Sequence, residues 1–263
     1  MRCHPVGVKI EVIMPFATHN GCRFHLQSLG SGPAVVMLHG WLIDSMVSWL
    51  FTAAPLLARS HRVLLYDMRG HGRSQRVRTG YDIATQIGDL RALLAEFSGP
   101  VSLVGHSYGA LVALKFALEE PERVGRLVLV EAPLPPFPKT LVEDLLGETP
   151  ERLTQALPPT LQKILGQRDR RARRLLQSLQ FLIMESTMIR DMQAEQRIED
   201  QALLQIQCPV LCVYGDRSSC LEGGRRLSRT IPQARLEVLP GGHYLHLEAR
   251  AALSALLEEF LSG

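Results

Sequence analysis

Six short apolar runs, almost free of polar residues, recur along the chain and are separated by stretches with a helical spacing of apolar positions. Such runs are typical of strands that are covered on both faces, as in a parallel sheet flanked by helices. They occupy residues 34–38, 63–66, 101–104, 127–130, 210–214 and 236–239. The pattern therefore predicts a mostly parallel central sheet.

Between these runs, apolar residues recur every three or four positions, as in helices that pack one face against a sheet. The predicted helices cover residues 82–97, which Asp82 is placed to cap, and residues 110–120, 221–231 and 249–261. Before the first run, residues 8–14 and 22–27 flank Asn20-Gly21, a dipeptide that favours a hairpin turn. An antiparallel ribbon followed by alternating strands and helices predicts an α/β fold of the doubly wound kind.

Residues 133–207 interrupt this alternation and are too long for a simple connection between two strands. Helical patterns occur at residues 141–146, 161–165, 171–184 and 188–205. We therefore predict a small helical cap inserted into a core made of residues 1–132 and 208–263. The arginines at 168–174 form either a solvated helix face or a site for anionic substrates such as acyl-CoA. Met184, Met188 and Met192 either pack in the core or line an apolar pocket.

The composition excludes several classes of partner. With 263 residues and 46% hydrophobic content, the chain can bury a large core as one domain with an insertion. A net charge of +3 is small for this length, so nothing indicates nucleic acid or an acidic membrane as a partner. No apolar run reaches about 20 residues and the N-terminus lacks a secretory pattern, so we expect a cytoplasmic protein. The oligomeric state stays open.

The cysteines give no sign of a structural site. Their number is odd, and no spacing between two of them is repeated in a second pair, as a zinc site would need. They are Cys3, Cys22, Cys208, Cys212 and Cys220. We expect free thiols without a catalytic role, no disulfide framework and no bound metal.

The pentapeptide Gly105-His106-Ser107-Tyr108-Gly109 joins an apolar run to a predicted helix. A strand that turns sharply into a helix needs small residues on both sides of the turn, because larger side chains would collide with neighbouring backbone. Such a turn would present the Ser107 hydroxyl above the end of a strand, beside helix N-terminal amides that favour negative charge. The sequence therefore predicts that Ser107 is the nucleophile of an enzyme.

Three further motifs accompany this pentapeptide, each directly after a predicted strand. They are His39-Gly40-Trp41, Asp67-Met68-Arg69-Gly70-His71-Gly72-Arg73-Ser74 and Gly241-Gly242-His243. With the four motifs in this order, the chain resembles the α/β-hydrolase superfamily, in its serine hydrolase branch with a helical cap, from about residue 8 to residue 260. The resemblance implies the α/β-hydrolase fold, with a mostly parallel central sheet flanked by helices and an inserted cap. We interpret the loop at 67–74 as structural, with Asp67 holding loop amides.

The resemblance also implies the base and the oxyanion hole. The superfamily places its histidine directly after the glycines, which selects His243 and leaves His246 as a packing residue. Oxyanion donors would be the backbone amides of Trp41 and of Tyr108, the residue after the nucleophile. His39 would hold its loop through side-chain hydrogen bonds, and both His39 and Trp41 are candidates for contact with substrate.

The acid of the expected triad is ambiguous. Most relatives would place it at Ser218, three residues beyond Gly215, and that position is not acidic. Asp216 follows Gly215 directly and is one candidate. Glu131, at the end of the run 127–130, is the other, and an acid at that place resembles haloalkane dehalogenases and some lipases. The sequence leaves both alternatives open.

These residues predict a serine hydrolase that acts on a small-molecule carboxylic ester or thioester through an acyl-serine intermediate, without metal or organic cofactor. Ser107 argues against haloalkane dehalogenase and epoxide hydrolase chemistry, because those branches of the superfamily use an aspartate there. A lyase or perhydrolase-like activity on the same scaffold is a second possibility. A non-catalytic small-molecule binding protein is a third.

Overall fold

Eight strands form one sheet at the centre of the computed structural model, which describes residues 16–137 and 170–263. The strands are β1 (Phe16–His19), β2 (Cys22–Leu29), β3 (Ala34–Leu38), β4 (Arg62–Tyr66), β5 (Val101–His106), β6 (Val124–Val130), β7 (Val210–Gly215) and β8 (Ala234–Leu239). Their order across the sheet is β1-β2-β4-β3-β5-β6-β7-β8. β1 and β2 pair antiparallel with their neighbours, and all remaining pairs are parallel. The predicted mostly parallel sheet is confirmed.

Helices connect the strands. They are α1 (Val47–Leu50), α2 (Ala54–Leu57), α3 (Ile83–Leu93), α4 (Tyr108–Glu119), α5 (Arg170–Gln180), α6 (Met188–Gln193), α7 (Asp200–Leu203), α8 (Leu221–Thr230), α9 (Leu245–Glu248) and α10 (Arg250–Ser262). Single turns of 3-10 helix occupy Leu94–Glu96 and Pro121–Arg123, and a π-helical segment, Phe181–Glu185, follows α5. The side chain of Asp82 accepts a hydrogen bond from the Thr85 amide at 2.8 Å and caps α3 as expected.

Strand β3 shows why the apolar runs lack polar interruptions. Val36 and Leu38 pack into a core with α3, α4 and α8, whereas Val35 and Met37 pack into a second core with α1, α2 and α10. Successive side chains of a strand point to opposite faces, so a strand that is covered on both faces needs an apolar residue at nearly every position.

The structure and the predicted elements differ in two places. The hairpin turn lies at Asn20-Gly21, both with positive φ, and joins β1 to β2; residues 8–14 lie outside the described residues. The prediction of one helix over 188–205 is wrong, because residues 194–199 between α6 and α7 are not helical. In this stretch Ile198 is buried and Glu195 accepts a hydrogen bond from the Ile83 amide at 2.9 Å, so tertiary contacts override the helical pattern. The predicted helices at 141–146 and 161–165 also lie outside the described residues.

The loop at 67–74 holds neighbouring segments together. Asp67 is buried, and its carboxylate accepts hydrogen bonds from the Met46 and Arg73 amides at 2.9 Å each. Burial works to raise the pKa of Asp67, but its hydrogen bond to His25 and these amide contacts lower it overall. The carboxylate is thus a fixed anion that organises the loop, in line with the structural interpretation of this motif.

Arg69 forms a bidentate ion pair with Asp89 of α3, with two hydrogen bonds of 2.7 Å and both side chains at most 5% exposed. We expect Asp89→Asn to lower the free energy of unfolding by about 3–5 kcal/mol, because it leaves a guanidinium buried without its counter-charge. Urea unfolding would measure this change. The matched control, Glu222→Gln, removes exposed pairs with Arg225 and Arg229 and should cost less than about 1 kcal/mol. Equal changes in both variants would contradict the expected contribution of burial.

No helix within the two described segments is long and apolar enough to cross a bilayer.

Candidate active site

Ser107 stands at the sharp turn between β5 and α4. Its backbone has φ 53° and ψ −124°, a strained conformation that a non-glycine residue keeps only when its surroundings enforce it. The Ser107 amide donates a hydrogen bond to the Val130 carbonyl at 2.8 Å, which ties the turn to the end of β6. The turn is therefore held from the neighbouring strand.

The glycines that flank the turn are required by close backbone approach. A Cβ on Gly105 would lie 2.4 Å from the Ala110 Cα, and a Cβ on Gly109 would lie 2.3 Å from the His39 carbonyl oxygen. Both distances are far below van der Waals contact. The structure thus gives the reason for the two glycines in the pentapeptide.

His243 lies on the loop after β8 and faces Ser107. Its Nε2 is 2.9 Å from the Ser107 Oγ, so the hydroxyl can donate a hydrogen bond to the ring. Its Nδ1 is 3.3 Å from Glu131 Oε2, and this nitrogen donates to the carboxylate in the matching tautomer. Two consecutive hydrogen bonds therefore connect the Ser107 hydroxyl, the imidazole of His243 and the Glu131 carboxylate.

Glu131 reaches the histidine from the end of β6. The residue is completely buried and has φ 55°, and its amide bonds to the Val213 carbonyl at 3.0 Å. The carboxylate also accepts hydrogen bonds from the Gly215 amide and the Ser218 hydroxyl. These donors satisfy a charge that would otherwise be costly to bury.

Asp216 has a different environment. Its side chain is 50% exposed and pairs with Arg217 at 3.3 Å, and the carboxylate accepts a hydrogen bond from the Gly241 amide at 2.9 Å. No hydrogen bond joins Asp216 to His243. Of the two candidate acids, the structure therefore brings only Glu131 to the histidine.

Opposing effects act on the pKa of His243. Burial works to lower it, but the contacts of the ring with Cys220 and Glu131 outweigh burial, so that the pKa is raised above its ordinary value of 6.5.

His246, the competing histidine, is buried, and burial lowers its pKa to about 3. His246 packs against the ring of His106 and makes no hydrogen bond to Ser107. It is a packing residue, as expected.

A buried pair behind the site, His106 and Asp44, was not predicted from the sequence. His106 Nδ1 is 3.2 Å from Asp44 Oδ2, and His106 Nε2 is 2.8 Å from the His243 carbonyl oxygen. Asp44 Oδ2 also accepts a hydrogen bond from the Gly40 amide at 2.8 Å. Burial alone would raise the pKa of Asp44, but the His106 hydrogen bond and nearby histidines hold it well below its ordinary value. Both nitrogens of His106 face acceptors, so the ring links the Asp44 carboxylate to the backbone of the histidine loop.

The loop at 39–41 lies directly beside the nucleophile. A Cβ on Gly40 would be 3.2 Å from the Ser107 Cβ, and the ring of Trp41 stacks on Tyr108 with 3.4 Å between centroids. His39 is completely buried, contacts the Gly40 carbonyl oxygen through Nδ1 at 2.6 Å and accepts from the Met68 amide at 2.9 Å. His39 therefore holds the loop, and its predicted contact with substrate stays a prediction.

A cavity of about 290 Å³ opens in front of Ser107 and His243. Its wall is mostly apolar, and its polar groups lie close to the serine and the histidine. The lining residues are Trp41, Leu42, Ser107, Tyr108, Pro133, Phe137, Met188, Ile189, Met192, Ser219, Cys220, His243 and Tyr244. Met188 and Met192 thus belong to the cavity wall, whereas Met184 is 69% exposed. Arg173 and Arg174 are exposed and do not line this cavity.

Comparison with known proteins supports one family. The family model described as "Alpha/beta hydrolase family" matches residues 35–256. A soluble epoxide hydrolase from Corynebacterium sp. is 36% identical over 122 residues, which are 46% of this chain and 42% of that protein. The chain spans only about two fifths of the length of the first curated relatives that it matches.

Solved structures match over nearly the whole chain. The enol-lactonase from Burkholderia xenovorans LB400 superposes with a TM-score of 0.78 at 21% identity, covering 95% of this chain and 100% of that one. A thioesterase domain from the curacin biosynthetic pathway has a TM-score of 0.70 at 28% identity, covering 98% of this chain and 100% of that domain. At 21% identity, the likeness to the enol-lactonase shows a shared fold and no more.

Proposed function

The chain belongs to the alpha/beta hydrolase family, and from this premise we propose that it is a serine hydrolase that cleaves a carboxylic ester or thioester. The observation that carries the proposal is the chain of contacts from Ser107 Oγ through His243 to Glu131, with distances of 2.9 Å and 3.3 Å. A serine hydroxyl is a weak nucleophile until a base within hydrogen-bond reach accepts its proton. The cavity in front of Ser107 gives a substrate access to that hydroxyl.

The reaction proceeds in two stages. Ser107 Oγ attacks the carbonyl carbon while its proton passes to His243 Nε2, and Glu131 stabilises the imidazolium that forms. The negative carbonyl oxygen accepts hydrogen bonds from the amides of Trp41 and Tyr108, at the start of α4. His243 then protonates the leaving alcohol or thiol, which departs and leaves acyl-Ser107. Water, deprotonated by His243, releases the acid and restores the serine.

The nucleophile favours acyl transfer over the chemistry named for the epoxide hydrolase relatives. A carboxylate that opens an epoxide forms an ester, which water can hydrolyse in a second step. Ser107 would instead form an ether, for which the site holds no means of hydrolysis. A mostly apolar cavity of about 290 Å³ suits the acyl part of an ester or thioester, and a lactone is included as a cyclic ester.

The proposal is tested by the mass of the intact protein after exposure to a small fluorophosphonate. We expect one adduct per chain, followed by turnover of p-nitrophenyl esters in a panel of short and long acyl chains. Acyl thioesters then separate thioesterase from esterase activity. A protein that forms no adduct and turns over no ester would contradict the proposal and favour the lyase or binding-protein alternatives.

The raised pKa of His243 makes a prediction about pH. Neutral His243 is the form that accepts the serine proton, so activity is lost as pH falls through this pKa. We expect the acid limb of kcat/KM for an ester to have its midpoint above about 6.5, the ordinary histidine value. Glu131→Gln removes one cause of the raised pKa and should move the midpoint of the residual activity to lower pH. A midpoint below 6.5 in the unmodified protein would contradict this assignment of the base, provided that the fold is intact at each pH.

A further inference from the structure

Cys220 places a thiol beside the histidine and the carboxylate. Its Sγ is 3.9 Å from His243 Nδ1, the same nitrogen that faces Glu131 Oε2 at 3.3 Å. The three ligand atoms of Glu131, Cys220 and His243 all lie within 4.8 Å of one another. The mechanism above uses the carboxylate and the imidazole but gives the thiol no task.

The local sequence explains how the thiol comes to lie there. Ser218 occupies the position where the resemblance places the acid, and its hydroxyl bonds to the Glu131 carboxylate. The same Ser218 oxygen accepts a hydrogen bond from the Cys220 amide at 3.0 Å. Glu131 approaches the ring from β6, and the loop after β7 presents a serine at the expected acid position and brings Cys220 to the ring.

We propose that Glu131, Cys220 and His243 Nδ1 form an inhibitory binding site for Zn²⁺. Zinc bonds of about 2.0–2.3 Å to nitrogen, oxygen and sulfur set neighbouring tetrahedral ligand atoms about 3.3–3.7 Å apart. The separation of 3.3 Å between His243 Nδ1 and Glu131 Oε2 fits this range, and the separation of 3.9 Å to Cys220 Sγ needs only a small side-chain shift. Cys220 and His243 both line the cavity, so the fourth position is open to water.

The chemistry of the donors selects zinc among common divalent ions. A thiolate and an imidazole are ligands that Zn²⁺ prefers, whereas Mg²⁺ and Ca²⁺ prefer oxygen alone. The thiol loses its proton to solvent on binding. One thiolate and one carboxylate then balance the two positive charges of the ion, which reduces the cost of placing it against the buried Glu131.

Inhibition follows from the tautomer of the histidine, and this step rests on the proposed function. Zinc can bind Nδ1 only in the tautomer that leaves this nitrogen unprotonated, so the single proton of the neutral ring moves from Nδ1 to Nε2 by exchange with solvent. Nε2 then faces Ser107 Oγ as a donor and cannot accept the serine proton. The ion also takes the Glu131 carboxylate away from the imidazole.

Cobalt(II) absorption tests the metal site independently of activity. With Co²⁺ as the probe for zinc, the unmodified protein should show a thiolate-to-metal charge-transfer band and the visible bands of tetrahedral coordination. Cys220→Ser should lose the charge-transfer band, whereas the control Cys208→Ser, at a half-buried thiol outside the cavity, should retain it. A band that survives in Cys220→Ser, or no band in any protein, would overturn the site.

Zinc inhibition of ester turnover tests whether metal binding at Nδ1 stops His243 from acting as the base. Each variant is compared with its own rate in the presence of a chelator. We expect reversible inhibition of the unmodified protein and a loss of zinc affinity of at least about 100-fold in Cys220→Ser, since even outer partners of a ligand typically contribute 10–100-fold. Equal inhibition of both proteins would overturn the site and leave the serine hydrolase standing. Cobalt binding in a protein without ester turnover would instead contradict the proposed function and retain the site.

Discussion

Ser107→Ala is expected to lower kcat/KM for ester substrates by about 10⁴-fold or more and to abolish the fluorophosphonate adduct. The variant keeps the hydrogen bond of the Ser107 amide to Val130, because that bond belongs to the backbone. It loses the Oγ atom that forms the acyl intermediate in the proposed mechanism. Steady-state kinetics and intact-protein mass measure the two effects, and circular dichroism verifies the fold.

Two comparisons make this result specific. Ser102→Ala removes a hydroxyl from β5, the strand that leads to Ser107, at a position outside the cavity. This variant should keep both the adduct and the turnover. His243→Ala should be about as severe as Ser107→Ala, and the double variant should be no worse than either, because nucleophile and base act as one unit. An adduct that persists in Ser107→Ala would place the nucleophile elsewhere and refute the mechanism.

Glu131→Gln and Asp216→Asn are expected to differ by about 100-fold or more in kcat. Glutamine keeps the size of Glu131 but lacks the charge that stabilises the imidazolium of His243, and its amide nitrogen is a poor partner for Nδ1–H. Asp216→Asn changes a half-exposed group that contacts Gly241 and Arg217, so its effect should be mild.

Measuring kcat for one activated ester at saturating substrate separates the two variants. Melting temperatures are needed as a control, because Glu131 also receives hydrogen bonds from Gly215 and Ser218. A severe effect of Asp216→Asn with a mild effect of Glu131→Gln would assign the acid to the loop after β7. Mild effects of both Glu131→Gln and Asp216→Asn would contradict the proposed triad.

The sequence was most informative where local pattern determines structure. The parallel strands were predictable because burial on both faces demands unbroken apolar runs, as at 34–38 and 127–130. The turn at Ser107 was predictable because a close backbone approach demands glycine at 105 and 109. The requirement falls on the glycines themselves, whichever segment approaches them, so it leaves a readable signal in the local sequence.

The acid and its supporting contacts depend on pairings between distant segments. Choosing between Glu131 and Asp216 requires the neighbouring positions of β6 and β7 and the positive φ of Glu131, neither of which leaves a local pattern. Asp44 belongs to no motif, yet it meets His106, 62 residues away along the chain. Likewise, the cysteine spacing gave no sign of a metal site, because the proposed zinc ligands come from three separate loops.

The carboxylate of Asp44 connects two parts of the site that are far apart in the chain. It holds the Gly40 amide directly, and it holds the His243 backbone through His106. Heating that loosens this shared anchor would weaken the hold on the loop at 39–41 and on the histidine loop together. Activity should therefore be lost over a narrow range of temperature, without a partly active form in which one loop is ordered and the other is displaced.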